Sequence, residues 1–380
     1  MTVSTLSVTS TSARSSAQRM GFLDGLRGLA VALVLVQHVG ESLFPAFGEF
    51  TQTRLLLGQM GVMVFFLCSG FIIPASLERG GRDGRLRGVT SFWRSRFFRL
   101  FPLYWLSLGA AAVLAAVGVF TPAVPMSSGQ WLANTVMFQL LLGVPNVLVA
   151  YWTLAFELLF YAALSVLFLL GLHRRSTELS LAASALCVAL ALGAGPLLSA
   201  TPPTGAFCVA TMFTGTVFYR WHRGDVGLAT LTTCVVAAMG SGALLLTAAI
   251  PGSPQAGTPA FLAMLTAWLG AYAVVVAGML LRNRPVPALL RRLGTISFSV
   301  YLMQALVLAA VPPLGGPVLT ALLWVALTIA VSELTYRFVE VPSIGLGRRL
   351  GRRRPAPATT TGRVLPVPRR SVDTPASIPA

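Results

Sequence analysis

Apolar residues run in blocks of about twenty through most of the 380-residue chain, with short polar segments between them. Ten such blocks lie at 22–42, 55–77, 102–119, 151–172, 179–200, 205–221, 226–250, 259–281, 293–311 and 318–338. Each approaches the ~20 residues that carry a helix across the hydrocarbon core of a bilayer. The pattern predicts an all-α fold, a polytopic transmembrane bundle of about ten spans occupying residues 21–350. Two polar tails flank it and are expected to be disordered, the Ser/Thr-rich 1–20 and the Arg/Pro/Thr-rich 351–380. No cleavable signal pattern and no second soluble domain are expected.

The polar segments alternate in charge. Arg79, Arg82, Arg85, Arg87, Arg94, Arg96 and Arg99 follow the second block, and smaller Arg clusters follow the fourth, sixth, eighth and tenth. The intervening loops carry almost no Arg, Arg54 excepted. This positive-inside alternation predicts an even number of spans with both termini cytoplasmic. It also assigns the formal net charge of +17 to topology and not to nucleic-acid binding. With 55% hydrophobic and 10% charged residues the chain is no ordinary soluble domain. All its basic residues are Arg, the codon usage of a GC-rich bacterial genome, so a bacterial plasma membrane is the expected location. The four cysteines fall inside apolar blocks without metal or disulfide spacing, and no metal site is expected.

Candidate chemistry lies where polar residues interrupt an apolar block. Residues 21–40, GFLDGLRGLAVALVLVQHVG, contain Asp24, Arg27 and His38. Eleven residues return Arg27 and His38 to within about 20° of one face, roughly 16 Å apart along the axis. Asp24 is three residues before Arg27 and placed to pair with it. Such groups are costly in hydrocarbon, so this stripe reads as the wall of an enclosed path. Of the three histidines, His173 and His222 fall in basic loops and are expected to be solvated, leaving His38 as the embedded one. It either bonds a helix carbonyl or serves as a base near neutral pH.

Glu157, in YWTLAFELLFY, lies at a depth similar to that of His38. It is either a packing carboxylate paired with an Arg or the group that orients His38. Arg96 and Arg99, in FWRSRFFRLFPLYW, share a helix face, with Pro102 suited to the first turn of the next span. They form either an interfacial anchor or a phosphate clamp. Ser69 and Gly70 in FFLCSGFIIP are open to helix packing or ligand contact. Arg337 and Glu340 read as an interfacial pair capping the last span. The uncharged loop 120–150 is either a surface-lying helix or a lid.

LDGLRGLA, Arg27 and His38 at their spacing, FFLCSGFII, RFFRLFPLYW, WTLAFELLFY, ISFSVYL and YRFVEVP together resemble the acyltransferase-3 family of integral membrane O-acyltransferases. The resemblance spans residues 23–342. It implies transfer of an acyl group, acetyl foremost, from cytoplasmic acyl-CoA to a hydroxyl on a glycan or a macrolide-like secondary metabolite. In that reading His38 is the catalytic base supported by Glu157, and Arg27, fixed by Asp24, contacts the donor. Arg96 and Arg99 hold its phosphates, with Ser69 and Gly70 beside it. One departure is Gln304, where many members carry a histidine; it can hydrogen-bond but not act as a base. A hydrolase-like extension, found in some members, is not expected. The rival function is a transporter or flippase of a glycan or lipid-linked substrate, which embedded charges also suit.

Overall fold

The computed structural model describes residues 8–81, 84–122, 124–193, 205–248 and 257–351, with side chains from residue 21 onward. Of the two expected tails, 1–7 and 352–380 lie outside the described residues, whereas 8–20, expected to be disordered, are helical as the first part of α1. Among the described residues the fold is helical without strands. The long helices are α1 (Val8–Leu43), α3 (Leu57–Gly80), α4 (Arg85–Ala116), α6 (Tyr151–Leu170), α7 (Ser176–Gly193), α8 (Gly205–Arg223), α9 (Leu228–Thr247), α10 (Pro259–Leu280), α12 (Ser297–Ala310) and α13 (Pro317–Thr335). Short ones are α2 (Pro45–Thr53), α5 (Ser128–Ala133), α11 (Ala288–Thr295) and α14 (Val341–Gly351).

Eight of the predicted blocks coincide with helices long and apolar enough to cross a membrane. The block at 293–311 is broken: α11 and α12 meet at a 76° bend and can count as a ninth. The block at 205–221 is α8, which lies outside that set because threonines and Arg220, His222 and Arg223 dilute its apolar content. Most of α8 is nevertheless buried. It stands at the centre of the bundle between α3, α6, α7 and α9, so protein and not lipid surrounds its polar atoms.

Pro102 does not open a span as expected. It lies inside the single 32-residue helix α4, where its ring removes one backbone donor. A membrane helix absorbs such a loss when neighbouring groups satisfy the freed carbonyl. In the loop at 120–150 only the short α5 is α-helical among the described residues. A capped turn of helix, α5, leads into 3-10 turns tied down by the fully buried Asn134, which bonds the Pro145 carbonyl at 3.0 Å and the Val147 amide at 3.0 Å. All four cysteines are buried and free.

Close approach positions α3. A Cβ added to Gly70 would strike the Met212 carbonyl of α8, and one added to Gly215 would meet Gly70 in return. The glycine pair lets the two backbones touch, as small residues do at membrane helix interfaces.

Candidate active site

The helices enclose a cavity of about 300 Å³. α1 contributes Asp24 and Arg27 to its wall, and α3 contributes Ser69 beside Phe65, Phe66 and Cys68. Arg96 and Arg99 come from α4, and Thr153, Glu157 and Tyr161 from α6. The bend at Ile296 turns the start of α12 inward, so Ser297, Phe298 and Tyr301 complete the lining. Three guanidinium groups and two carboxylates thus face one partly apolar chamber.

The internal bonding differs from the expected pairing. Glu157 Oε1 accepts from Ser69 Oγ at 2.9 Å and also from the Tyr161 hydroxyl. Its charge is a neighbour of Arg27. Arg96 lies over the rings of Phe92 and Tyr161, 5.2 and 5.5 Å from the centroids, a cation–π placement that orients its guanidinium. Asp24 and Arg27 share the wall without a direct ion pair among the described residues; Asp24 has Arg27, Arg99 and Arg291 as its charged neighbours. Reaching i+3 along a helix brings two side chains to one face, but that alone does not bring their charged heads into contact.

His38 lies beyond this chamber. The Gln304 side chain of α12 lies near its imidazole and donates to the Tyr301 carbonyl at 3.3 Å, and Glu41, one turn on in α1, is its charged neighbour. Glu41 Oε1 in turn accepts from Thr51 Oγ1 of α2 at 2.7 Å. Between the two regions stands Tyr301, whose hydroxyl is 3.0 Å from Thr153 Oγ1 and whose ring meets Phe65 edge-on. Gln304 is about one turn from Tyr301 toward the Arg-poor end, and Glu157 about one turn from Thr153 the other way. His38 and Glu157 therefore sit roughly 10 Å apart in depth. The structure does not bring them together.

Other expected positions move as well. Gly70 faces the α8 backbone and is absent from the cavity lining, whereas its neighbour Ser69 is part of it. Arg337 does not pair with Glu340; it bonds Glu333 one turn back at 2.6 Å. Glu340 is 1% exposed and accepts from Ser299 at 3.2 Å, with Arg99 and Arg27 as charge neighbours. The wide π-turn Tyr336–Glu340 accounts for this, since it turns Glu340 off the face that carries Arg337. His173 is 5% exposed and packs on Phe168, and His222 lies against Phe22 and Phe71, so neither is a solvated loop residue. Sequence reasoning missed Glu41, the placement of Gln304 beside His38, Tyr301, and the burial of Glu340. Glu41 had a signal, the i,i+3 spacing from His38. Among the described residues no cluster of His, Cys, Asp and Glu has the makings of a metal site.

A sequence model of the family described as an acyltransferase domain matches residues 20–336. Acyltransferase MdmB of Streptomyces mycarofaciens is 29% identical over 89% of this chain and 94% of its own length. Exopolysaccharide production protein ExoZ of Rhizobium meliloti is 29% identical over 79% of this chain and 94% of its own length. Peptidoglycan O-acetyltransferase OatA of Listeria monocytogenes is 24% identical over 87% of this chain, which spans 56% of that protein. No solved structure matches the chain.

Proposed function

The chain belongs to the acyltransferase-3 family, and on that premise we propose that it moves an acyl group, acetyl foremost, from acyl-CoA to a hydroxyl of a carbohydrate or a macrolide-like metabolite. It is a multi-pass membrane O-acyltransferase, so a transporter without bond-making chemistry is set aside. The observation that carries the donor assignment is the cavity, with Arg27, Arg96 and Arg99 on a wall otherwise rich in apolar and aromatic side chains. Arginine matches phosphate oxygens in a bidentate fork and stays charged. An apolar interior suits the uncharged arm that carries a thioester. The carbohydrate acceptor is suggested by the peptidoglycan and exopolysaccharide named for two relatives.

In this reading the Arg-rich end faces the cytoplasm of a bacterial cell, with both termini on that side. Arg96 and Arg99 receive the donor phosphates, and Arg27, balanced by Glu157 and Asp24, takes the polar groups deeper in. Ser69 and Tyr161 hold Glu157 in place through its shared oxygen. The acceptor enters from the Arg-poor end toward His38. Its hydroxyl oxygen attacks the thioester carbonyl, its proton passes to His38, the carbon–sulfur bond breaks and the CoA thiolate leaves. Gln304 stands beside the imidazole, and Glu41, its charged neighbour, stabilises the imidazolium that forms. The Tyr301–Thr153 contact must open for the thioester to reach that place.

The test is transfer itself. Membranes holding the protein are incubated with radiolabelled acetyl-CoA and a panel of oligosaccharide and macrolide acceptors. Label should enter an acceptor with wild type and not with His38→Ala, which should insert and fold normally. Transfer by His38→Ala at the wild-type rate would remove the proposed base.

A further inference from the structure

A second cavity, of about 320 Å³, lies at the Arg-rich end between the ends of α3 and α8 and the start of α7. It shares no lining residue with the first.

The polar groups around this cavity divide unequally. Its carboxylates are already engaged. Glu78 accepts from Arg220 at 2.6 Å, from Arg223 at 3.1 Å and from Tyr219 at 3.0 Å. Asp225 lies 3.4 Å from both Arg220 and Arg223. What remains is a set of donors. Ser176 is in the lining and 2% exposed, and its buried Oγ is without a partner. Arg220, 5% exposed, leaves its Nε unpaired. Arg174 lines the cavity and makes no ion pair among the described residues. Ser176 is also the first residue of the 18-residue α7, whose first-turn amides and dipole favour an anion.

Buried polar groups are nearly always satisfied, and a surplus made of donors calls for an acceptor. A carboxylate ligand offers two oxygens; a phosphate offers more, arranged to meet a guanidinium, a hydroxyl and backbone amides from different directions. We propose that this cavity binds a phosphate group, carried by an anionic lipid headgroup or by a soluble phosphate, at a site separate from the donor cavity. Arg174 and Ser176 are its direct contacts, and Arg220, anchored by Glu78, presents its Nε.

Two arms test this. Protein purified in dodecyl maltoside is titrated with inorganic phosphate, against sodium chloride at matched ionic strength so that screening is not mistaken for binding. Thermal unfolding is the readout. In the second arm, phosphatidylglycerol is added and native mass spectrometry counts the lipids retained. One arm should give a saturable response, which Arg174→Ala and Ser176→Ala each weaken roughly tenfold. Stabilisation by inorganic phosphate assigns a soluble source; lipid retention with a flat phosphate titration assigns the headgroup. Without either probe, Ser176→Ala should melt no lower than wild type, because it deletes a hydroxyl that has no protein partner. Neither variant should change affinity for acyl-CoA. A flat response in both arms, or one that survives both substitutions undiminished, overturns the site.

Discussion

Replacing Glu157 by glutamine separates charge from hydrogen bonding in the donor cavity. Ser69 and Tyr161 both donate to the same oxygen, Oε1. A glutamine that sets its carbonyl oxygen there accepts from both, so only the negative charge beside Arg27 disappears. Glu157→Ala removes the charge and both acceptor contacts, leaving a serine and a tyrosine hydroxyl without a partner. A hydrogen bond to an ionised group contributes about 1.5–3 kcal/mol and a neutral one about 0.5–1.5 kcal/mol. The alanine variant should therefore lose on the order of 3–5 kcal/mol and the glutamine variant on the order of 2 kcal/mol, before the solvent in the half-open cavity reduces both. The four buried cysteines make a thiol-reactive dye a direct reporter of unfolding. Tm should fall clearly further for alanine than for glutamine. Transfer from labelled acetyl-CoA should drop about tenfold or more for glutamine, since one lost charge interaction of some 1.4 kcal/mol suffices for that. Equal Tm losses would refute the shared-oxygen geometry. Full activity in Glu157→Gln would refute the charge-balancing role given to it.

The other predictions concern the walls of the same path. Arg99→Ala should raise KM for acyl-CoA about ten- to a hundredfold, the worth of one charge-assisted phosphate contact, and leave acceptor KM nearly unchanged in steady-state assays. Gly70→Ala should lower Tm and yield, costing about 1–3 kcal/mol or more, because the new methyl meets the Met212 carbonyl of α8 and backbone cannot step aside. Tyr301→Ala should raise acyl-CoA hydrolysis in the absence of acceptor, measured as free thiol release, since it removes the Thr153 contact and the ring that separate the two regions. Thiol release at the wild-type rate would show that this layer does not keep water from the donor.

The apolar blocks and the Arg-rich loops between them specify the helices and their alternation. The requirement is local: a segment that must satisfy its own backbone in lipid becomes a helix. Much of the cavity was legible for a related reason. Asp24, Arg27, Ser69 and Glu157 stand out because polar groups in apolar blocks are expensive, and that expense is visible without knowing their neighbours. Their partners were not visible. A similar predicted depth suggested that Glu157 meets His38, but the helices are offset in depth, and Glu157 instead bonds Ser69 and Tyr161. Gly70 could have faced a ligand or a helix until the contact with α8 settled it. A π-turn rotates Glu340 into the interior and a 76° bend brings Tyr301 to the cavity, and neither has a clear mark in the composition. A charge in an apolar block reveals that a partner is needed; which partner depends on the rotation, tilt and offset of helices far apart in the chain, and those are decided only when the bundle packs.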